Sequence, residues 1–394
     1  MAARPILAST IFDSLKHETS HSKKQSRLKF GCASLDSALG DGFPYDGGGL
    51  ICISGDSAIG KSLISSHLLA SHILSSPTNL AAIIDSTNSF DIVRLHDVLR
   101  TRAHDEITLA KTKSTANDEQ PPVHHFSAEN VDHLLDRVSI TPVFDFTGMR
   151  DAIREFSDLL SQARNNTAAP QPSTKPPSAL RTEIPDSEES SPEDPPPPPP
   201  PPTKPTLPPP LGLLLIDNLT SIAQPPIRTN HTTGHALLSS FLRELRHIAS
   251  THSLLAILIN HASAPPAIPS TTSLSSNPTT SFHTTSFTTS FNTSFNQPST
   301  SYRSPSQPQL PSIFSSNKVV PMLNPSLDAA VDMHLLVSKL PRGERDARVW
   351  YGKGGGKVEL VRVVEVLLDR REGREGRWGS WVVKGDGVGI EGLG

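Results

Sequence analysis

Residues 51–64 read Ile-Cys-Ile-Ser-Gly-Asp-Ser-Ala-Ile-Gly-Lys-Ser-Leu-Ile. An apolar run precedes the pattern Gly55-x-x-x-x-Gly60-Lys61-Ser62, and a second apolar run follows it. A strand, a glycine-bounded turn and a helix in that order aim successive backbone N–H groups at one point. The positive end of the helix dipole falls on the same point. This is the phosphate-binding loop in the context it requires. The candidate nucleotide-binding residues are therefore Gly55, Asp56, Ser57, Ala58, Ile59, Gly60, Lys61 and Ser62. In such a loop the lysine reaches the β- and γ-phosphates and the serine hydroxyl ligates Mg²⁺. The spacing predicts a helix over 62–74.

A chain of 394 residues holds two domains, or one domain with inserts. Its 37 prolines and its Ser/Thr-rich tracts favour the second. A net charge of −3 excludes a generally basic nucleic-acid binder, though not a local basic site. Two cysteines, Cys32 and Cys52, are too few for a disulfide framework and fit a reducing compartment. No apolar run approaches the roughly 20 residues that a membrane helix needs, and the N-terminus lacks a secretory h-region. Lys23, Lys24, Arg27 and Lys29 form a short basic cluster, read as a surface run or a nuclear-import signal.

Residues 1–29 read as a polar, disordered tail. A short helix over 35–39 ends at glycines and leads into a strand over 50–54. Short apolar runs ending in an acid, at 80–85 and 211–217, predict buried parallel strands. Further strands are predicted over 138–143 and 254–260. Helices are predicted over 91–100, 131–135, 149–163 and 235–250, with 101–126 as a loose connection. Residues 330–338, 347–351, 358–368 and 378–384 read as closing antiparallel strands, two of them joined by the glycine-rich turn 352–357.

Two stretches interrupt this order. Residues 164–210 hold Glu183, Asp186, Glu188, Glu189, Glu193 and Asp194 and an unbroken proline run from Pro195 to Pro202. Such a composition cannot bury enough apolar surface to fold. Residues 262–318 contain no acid and repeat Ser-Phe at Phe282, Phe287, Phe291 and Phe295. Both read as inserts within one domain over 30–394, because the remaining residues, roughly 250, match one α/β unit. The expected fold class is α/β, with a mainly parallel sheet, right-handed crossovers, C-terminal antiparallel strands and two disordered inserts.

A phosphate site also needs an acid for its cation. Asp217, ending its apolar strand, is the candidate, placing Mg²⁺ between Ser62 and Asp217. Lys61 and Asp217 are the candidate catalytic pair. Hydrolysis needs a further group to orient water, usually a Glu at a neighbouring strand end. The segments Asp85-Ser86-Thr87-Asn88 and Asp217-Asn218 carry none. Asp85 and Asp91 are the available substitutes, so the sequence supports ATP binding more firmly than turnover.

An ordered set of segments resembles the RecA-type recombinase core in its eukaryotic strand-exchange-paralogue form. The set comprises Phe30-Gly31, Leu35-Asp36, Leu39-Gly40, the loop 55–62, Ile84-Asp85 with Phe90 and Arg94-Leu95, the strand 214–217, Ile227-Arg228, Phe241-Leu242-Arg243 with Leu245, and Leu258-Ile259-Asn260-His261. The resemblance implies an ATP- and Mg²⁺-binding, RecA-like domain that works on single-stranded DNA with a recombinase or other paralogues, in the nucleus. Where the family carries its catalytic Glu this chain has Thr87, and where it carries a γ-phosphate-sensing Gln it has His261. Asn-His at that point is similar to the D-type paralogue. These departures point to an assisting subunit of a hetero-oligomer rather than an autonomous strand-exchange enzyme.

The resemblance also implies two disordered DNA-facing loops, one over 223–234 and one covering 262–318. The 262–318 insert has two readings: a Ser/Thr-rich filler, or a DNA contact in which its four phenylalanines stack on bases at about 1–3 kcal/mol each, enough to order a short part of it. Lys339, Arg342, Arg345 and Arg348 read either as a contact to phosphates or a neighbour's nucleotide or as a solvated strand end. Two other readings stand beside this one: a DNA-dependent ATPase and strand-exchange enzyme using Asp85 or Asp91, and a RecA-like scaffold outside DNA repair. No Asn-Lys-x-Asp motif appears to read guanine.

Overall fold

The computed structural model describes residues 27–45, 48–114, 131–167, 212–264, 312–352 and 356–393. The phosphate-loop segment forms β3 (Gly49–Gly55), buried along its whole length. It follows a small ribbon of β1 (Arg27–Leu28) and β2 (Phe43–Pro44), which flanks the short helix α1 (Ala33–Ala38). Arg27 and Leu28 thus belong to the fold rather than to the expected tail; residues 1–26 lie outside the described residues.

After the loop come α2 (Lys61–Ser75), β4 (Leu80–Asp85), α3 (Ile92–Ser114), α4 (Val131–Leu135), β5 (Val138–Pro142) and α5 (Phe146–Thr167). Then follow β6 (Gly212–Asp217), α6 (Leu219–Thr229), α7 (His231–Thr251) and β7 (Leu254–Ser263). The chain closes with β8 (Val320–Pro321), α8 (Ser326–Ala330), β9 (Met333–Pro341), α9 (Glu344–Tyr351), β10 (Leu360–Asp369), β11 (Trp378–Val383) and β12 (Ile390–Leu393).

The main sheet runs β12-β11-β10-β9-β3-β7-β6-β4-β5, with β8 pairing β7. β9, β3, β7, β6, β4 and β5 are parallel; β10, β11 and β12 continue antiparallel. This is the expected α/β class with antiparallel C-terminal strands. The two-residue period of each strand divides the core. Ile51, Ile53, Ile83, Leu213, Leu215 and Ile257 face one side, with Leu63, Leu68, Leu69 and Leu99 from α2 and α3. Leu50, Cys52, Ile84, Leu214, Ile216 and Leu258 face the other, with Ile153, Phe156, Leu238, Phe241 and Leu245 from α5 and α7. Strands buried on both faces are what near-continuous apolar runs encode.

Several elements differ from the sequence expectation. Residues 347–351 are helical, not extended. Glu344 and Asp346 favour a helix N-terminus, and Arg348 donates back to Glu344 at 2.6 Å. The stretch Ala-Arg-Val-Trp-Tyr is β-prone by composition alone. Helix α3 runs on to Ser114, through half of the stretch read as a loose connection. The DNA-facing loop expected over 223–234 is instead the end of α6 and the start of α7. Asn218 caps α6 by accepting from Thr220 N, and Asn230 caps α7 by accepting from Thr233 N. Residues 312–318, assigned to the second insert, are held to the sheet: Ser312 Oγ and Ile313 N both donate to Glu365. The proline run, the acidic patch and the four Ser-Phe repeats lie outside the described residues. So do Lys23, Lys24 and part of the turn 352–357.

Candidate nucleotide site

The site lies at the carboxyl end of β3, where a parallel sheet presents its ligands. Gly60 closes the loop with φ +106°, a conformation that favours glycine. Gly60 also leaves no room for a side chain: a Cβ there would sit 2.8 Å from the Trp381 ring. Ala58, at φ +55°, takes a second left-handed position in the turn. The loop's shape is therefore set by its own backbone and by a tryptophan from the C-terminal sheet.

Lys61 is buried at the start of α2 and folds back over the loop. Its Nζ donates to Gly55 O at 2.9 Å and to Asp56 O at 2.7 Å. Burial lowers its pKa; Asp217 and Asp56 oppose that shift. Two carbonyls of the loop thus hold the ammonium in place.

Asp217 stands where the sequence places it. Its Oδ2 accepts from Ser62 Oγ at 2.9 Å. Burial raises its pKa; the Ser62 hydrogen bond and Lys61 oppose the rise, and the Asp85 charge adds to it. A hydroxyl and a carboxylate this close are hard oxygen donors suited to Mg²⁺, which needs only one or two protein carboxylates beside phosphate and water. Among the described residues no cluster of three His, Cys, Asp or Glu side chains could hold a metal by itself. A cation here would be shared with a bound phosphate, and it would screen phosphate charge.

The two substitute bases are otherwise engaged. Asp85 Oδ1 accepts from Thr87 N and Thr87 Oγ1 at 2.9 and 3.1 Å, and its Oδ2 accepts from Phe90 N at 2.7 Å. It fixes the turn after β4. Asp91 caps α3 by accepting from Arg94 N at 2.9 Å and pairs with the Arg94 guanidinium. Both oxygens of Asp85 and one of Asp91 accept local backbone N–H groups, and Thr87 itself serves Asp85. His261 is paired in register with Gly55. Burial and the Lys61 charge lower its pKa, so the ring is neutral at neutral pH.

Two features went unread in the sequence. The first is a buried polar chain beneath the loop. Thr220 Oγ1 donates to Asn260 Oδ1 at 2.7 Å, Asn260 Nδ2 to Ser54 Oγ at 2.9 Å, and Ser54 meets His334 Nε2 at 2.7 Å. His334 Nδ1 reaches Asp328 at 2.6 Å. Asn260 marked itself only as a polar end to an apolar strand. The second is the brace from β10 and β11. Arg362 Nε donates to Ile59 O at 2.9 Å, and its guanidinium lies 5.2 Å from the Trp381 ring centroid. Nothing local in Val361-Arg362-Val363 announces a residue that reaches the loop.

A cleft of about 390 Å³ opens beside the loop, lined by 58–63, Arg94, Arg362, Val383 and Gly387. The fold and this site define an α/β protein with a glycine-bounded strand–loop–helix turn on the central strand of a mainly parallel sheet. No protein-family model and no curated protein matches the chain. Among solved structures the chain is similar to the crystal structure of the RadB recombinase. That match has a TM-score of 0.47 and 17% identity, covering 93% of this chain and 100% of the other. No described helix is long and apolar enough to cross a membrane.

Proposed function

We propose that the chain is an ATP- and Mg²⁺-binding protein with a RecA-like core, a recombinase paralogue of the D-type kind. It assists homologous recombination and double-strand-break repair in the nucleus, as one subunit of a hetero-oligomer on single-stranded DNA. The observation that carries the nucleotide part is the pairing of Ser62 with Asp217 beside Lys61. Phosphate, cation and countercharge positions are all supplied by this chain. The recombination part rests on the ordered set of sequence segments around that loop.

The same geometry favours binding over turnover, because Asp85 and Asp91 are committed to a turn and a helix cap. ATP then acts as an assembly ligand. By linkage, a partner that binds only the ATP-bound form is gained or lost with the nucleotide.

The test is recovery of the tagged full-length chain from nuclear extract with Mg-ATP, beside Lys61→Ala. The reading expects a RecA-type recombinase or paralogue to co-purify with the wild type and to be lost from the variant. Wild-type complexes free of any such protein, or unchanged by Lys61→Ala, would overturn it.

A further inference from the structure

In the sheet order, β3 and its loop stand between two flanks. β7 and β6 bring Asp217 from one side; β9 and β10 bring Arg362 from the other. The acid flank carries the cation-binding groups. The arginine flank has the opposite character and no partner assigned to it.

Arg362 is half-buried and lines the cleft beside the loop. Its Nε is used by Ile59 O, and its ring-facing surface by Trp381. Among the described residues no carboxylate forms an ion pair with it, and its two terminal nitrogens have no hydrogen-bond partner. Burial lowers its pKa, which marks a guanidinium partly stripped of water. A cation held rigid, part-desolvated and uncompensated at the rim of a phosphate loop is suited to an anion. The planar fork offers two parallel donors to a phosphate once Nε is fixed.

We propose that Arg362 is a nucleotide-binding residue. Its terminal nitrogens contact the phosphate chain on the side away from Asp217, and Trp381 orients it. This rests on the nucleotide-binding reading of the loop. The contact also ties the loop to the C-terminal antiparallel sheet, because one side chain serves Ile59, Trp381 and ligand together. Trp381 thereby becomes a reporter of occupancy. It is fully buried against Gly60, whereas Trp350 and Trp378 are about half exposed.

The test is titration of the full-length chain with Mg-ATP and with Mg-tripolyphosphate, which lacks the nucleoside. Wild type, Arg362→Ala, Arg362→Lys and Trp381→Phe are compared in a Trp350→Phe/Trp378→Phe background. Loss of a charge-assisted hydrogen bond to phosphate should weaken both ligands roughly ten- to a hundredfold in Arg362→Ala. Arg362→Lys should recover part of the tripolyphosphate affinity. Tryptophan emission, which in this background comes from Trp381 alone, should change on binding in the parent; Trp381→Phe, with no tryptophan left, serves as the blank and its binding is read by titration calorimetry. If the parent binds neither ligand, the nucleotide reading itself fails. If the parent binds both and Arg362→Ala binds them equally well, the proposal about Arg362 is overturned and the loop reading stands. A loss confined to Mg-ATP also overturns it, since the contact would then be to the nucleoside. Arg362→Lys, which keeps the charge and stem, guards against a fold defect, and each variant's unfolding midpoint is recorded alongside.

Discussion

The Ser62 hydroxyl donates to the Asp217 carboxylate at 2.9 Å, joining two residues 155 positions apart in the chain. That hydrogen bond marks where a phosphate-bound cation would sit, and it makes the cost of the site measurable.

Asp217 is buried with its pKa raised, by burial first. Its folded pKa lies above its unfolded value, so its cost to stability is present at neutral pH and disappears as pH falls through the folded pKa. Asp217→Asn should therefore raise the unfolding temperature of the ligand-free protein by about 2–4 °C per kcal/mol relieved. The same variant should lose Mg²⁺-dependent ATP affinity by roughly tenfold or more. In the wild type that affinity should begin to fall at a higher pH than an ordinary carboxylate, near 3.9, would give. Thermal scans and Mg-ATP titrations across pH check both halves. Unchanged Mg²⁺ dependence in Asp217→Asn would remove this residue from the cation site.

Asp91→Asn separates a helix cap from a base. Asn caps a helix about as well as Asp, so stability should change by less than about 0.5 kcal/mol. Any ATP turnover should also be unchanged. Asp85→Asn should be worse, because one accepting oxygen facing Thr87 or Phe90 becomes a donor. A cost of about 1–3 kcal/mol is expected for the group left unsatisfied. Urea unfolding gives both values; turnover lost in Asp91→Asn with folding intact would restore Asp91 as a base.

Arg374 and Asp369 form a nearly fully buried ion pair at 2.6 Å. Arg374 also binds Leu39 O and Gly42 O, and so ties the first ribbon to β10. Burial works against the Asp369 charge, but Arg374 and the backbone N–H groups of Arg371 and Glu372 hold its pKa below the ordinary value. Its contribution is fully present above the unfolded pKa and lost as pH falls through the lower folded one. Asp369→Ala should cost roughly 3–5 kcal/mol, toward the lower end because Glu372 still pairs with Arg374 at 2.9 Å. Equilibrium unfolding at neutral and acid pH checks this, with the difference shrinking at the acid end.

Asn260→Leu should cost about 1–3 kcal/mol, since Ser54 and Thr220 each lose a buried partner. Ser54 keeps its contacts to His334 and Cys52, and Thr220 keeps the one from His261 N. Denaturant unfolding with an unchanged slope would assign the loss to stability alone.

The parts legible in the sequence are those whose signal is local. Gly60, Lys61 and Ser62 sit within one turn, and strands such as Leu213–Ile216 carry their burial in their composition. Asp217 was legible because an acid ending an apolar strand needs a use. Arg362 and Trp381 were not, because their strands look like any other and only the sheet order brings them to the loop. The helix at Glu344 was hidden by β-prone neighbours, although its charge order favours a helical start. Asp85 looked like a free acid until its turn was seen to use both oxygens.

The measurement that tests the account most directly is ATP turnover by the purified full-length chain, with and without single-stranded DNA, beside Lys61→Ala and together with Mg-ATP binding. The account predicts Mg-ATP binding that Lys61→Ala removes, with turnover no faster than a trace. Rapid turnover that rises with DNA and vanishes in Lys61→Ala would contradict it, and would require a water-orienting group other than Asp85 or Asp91.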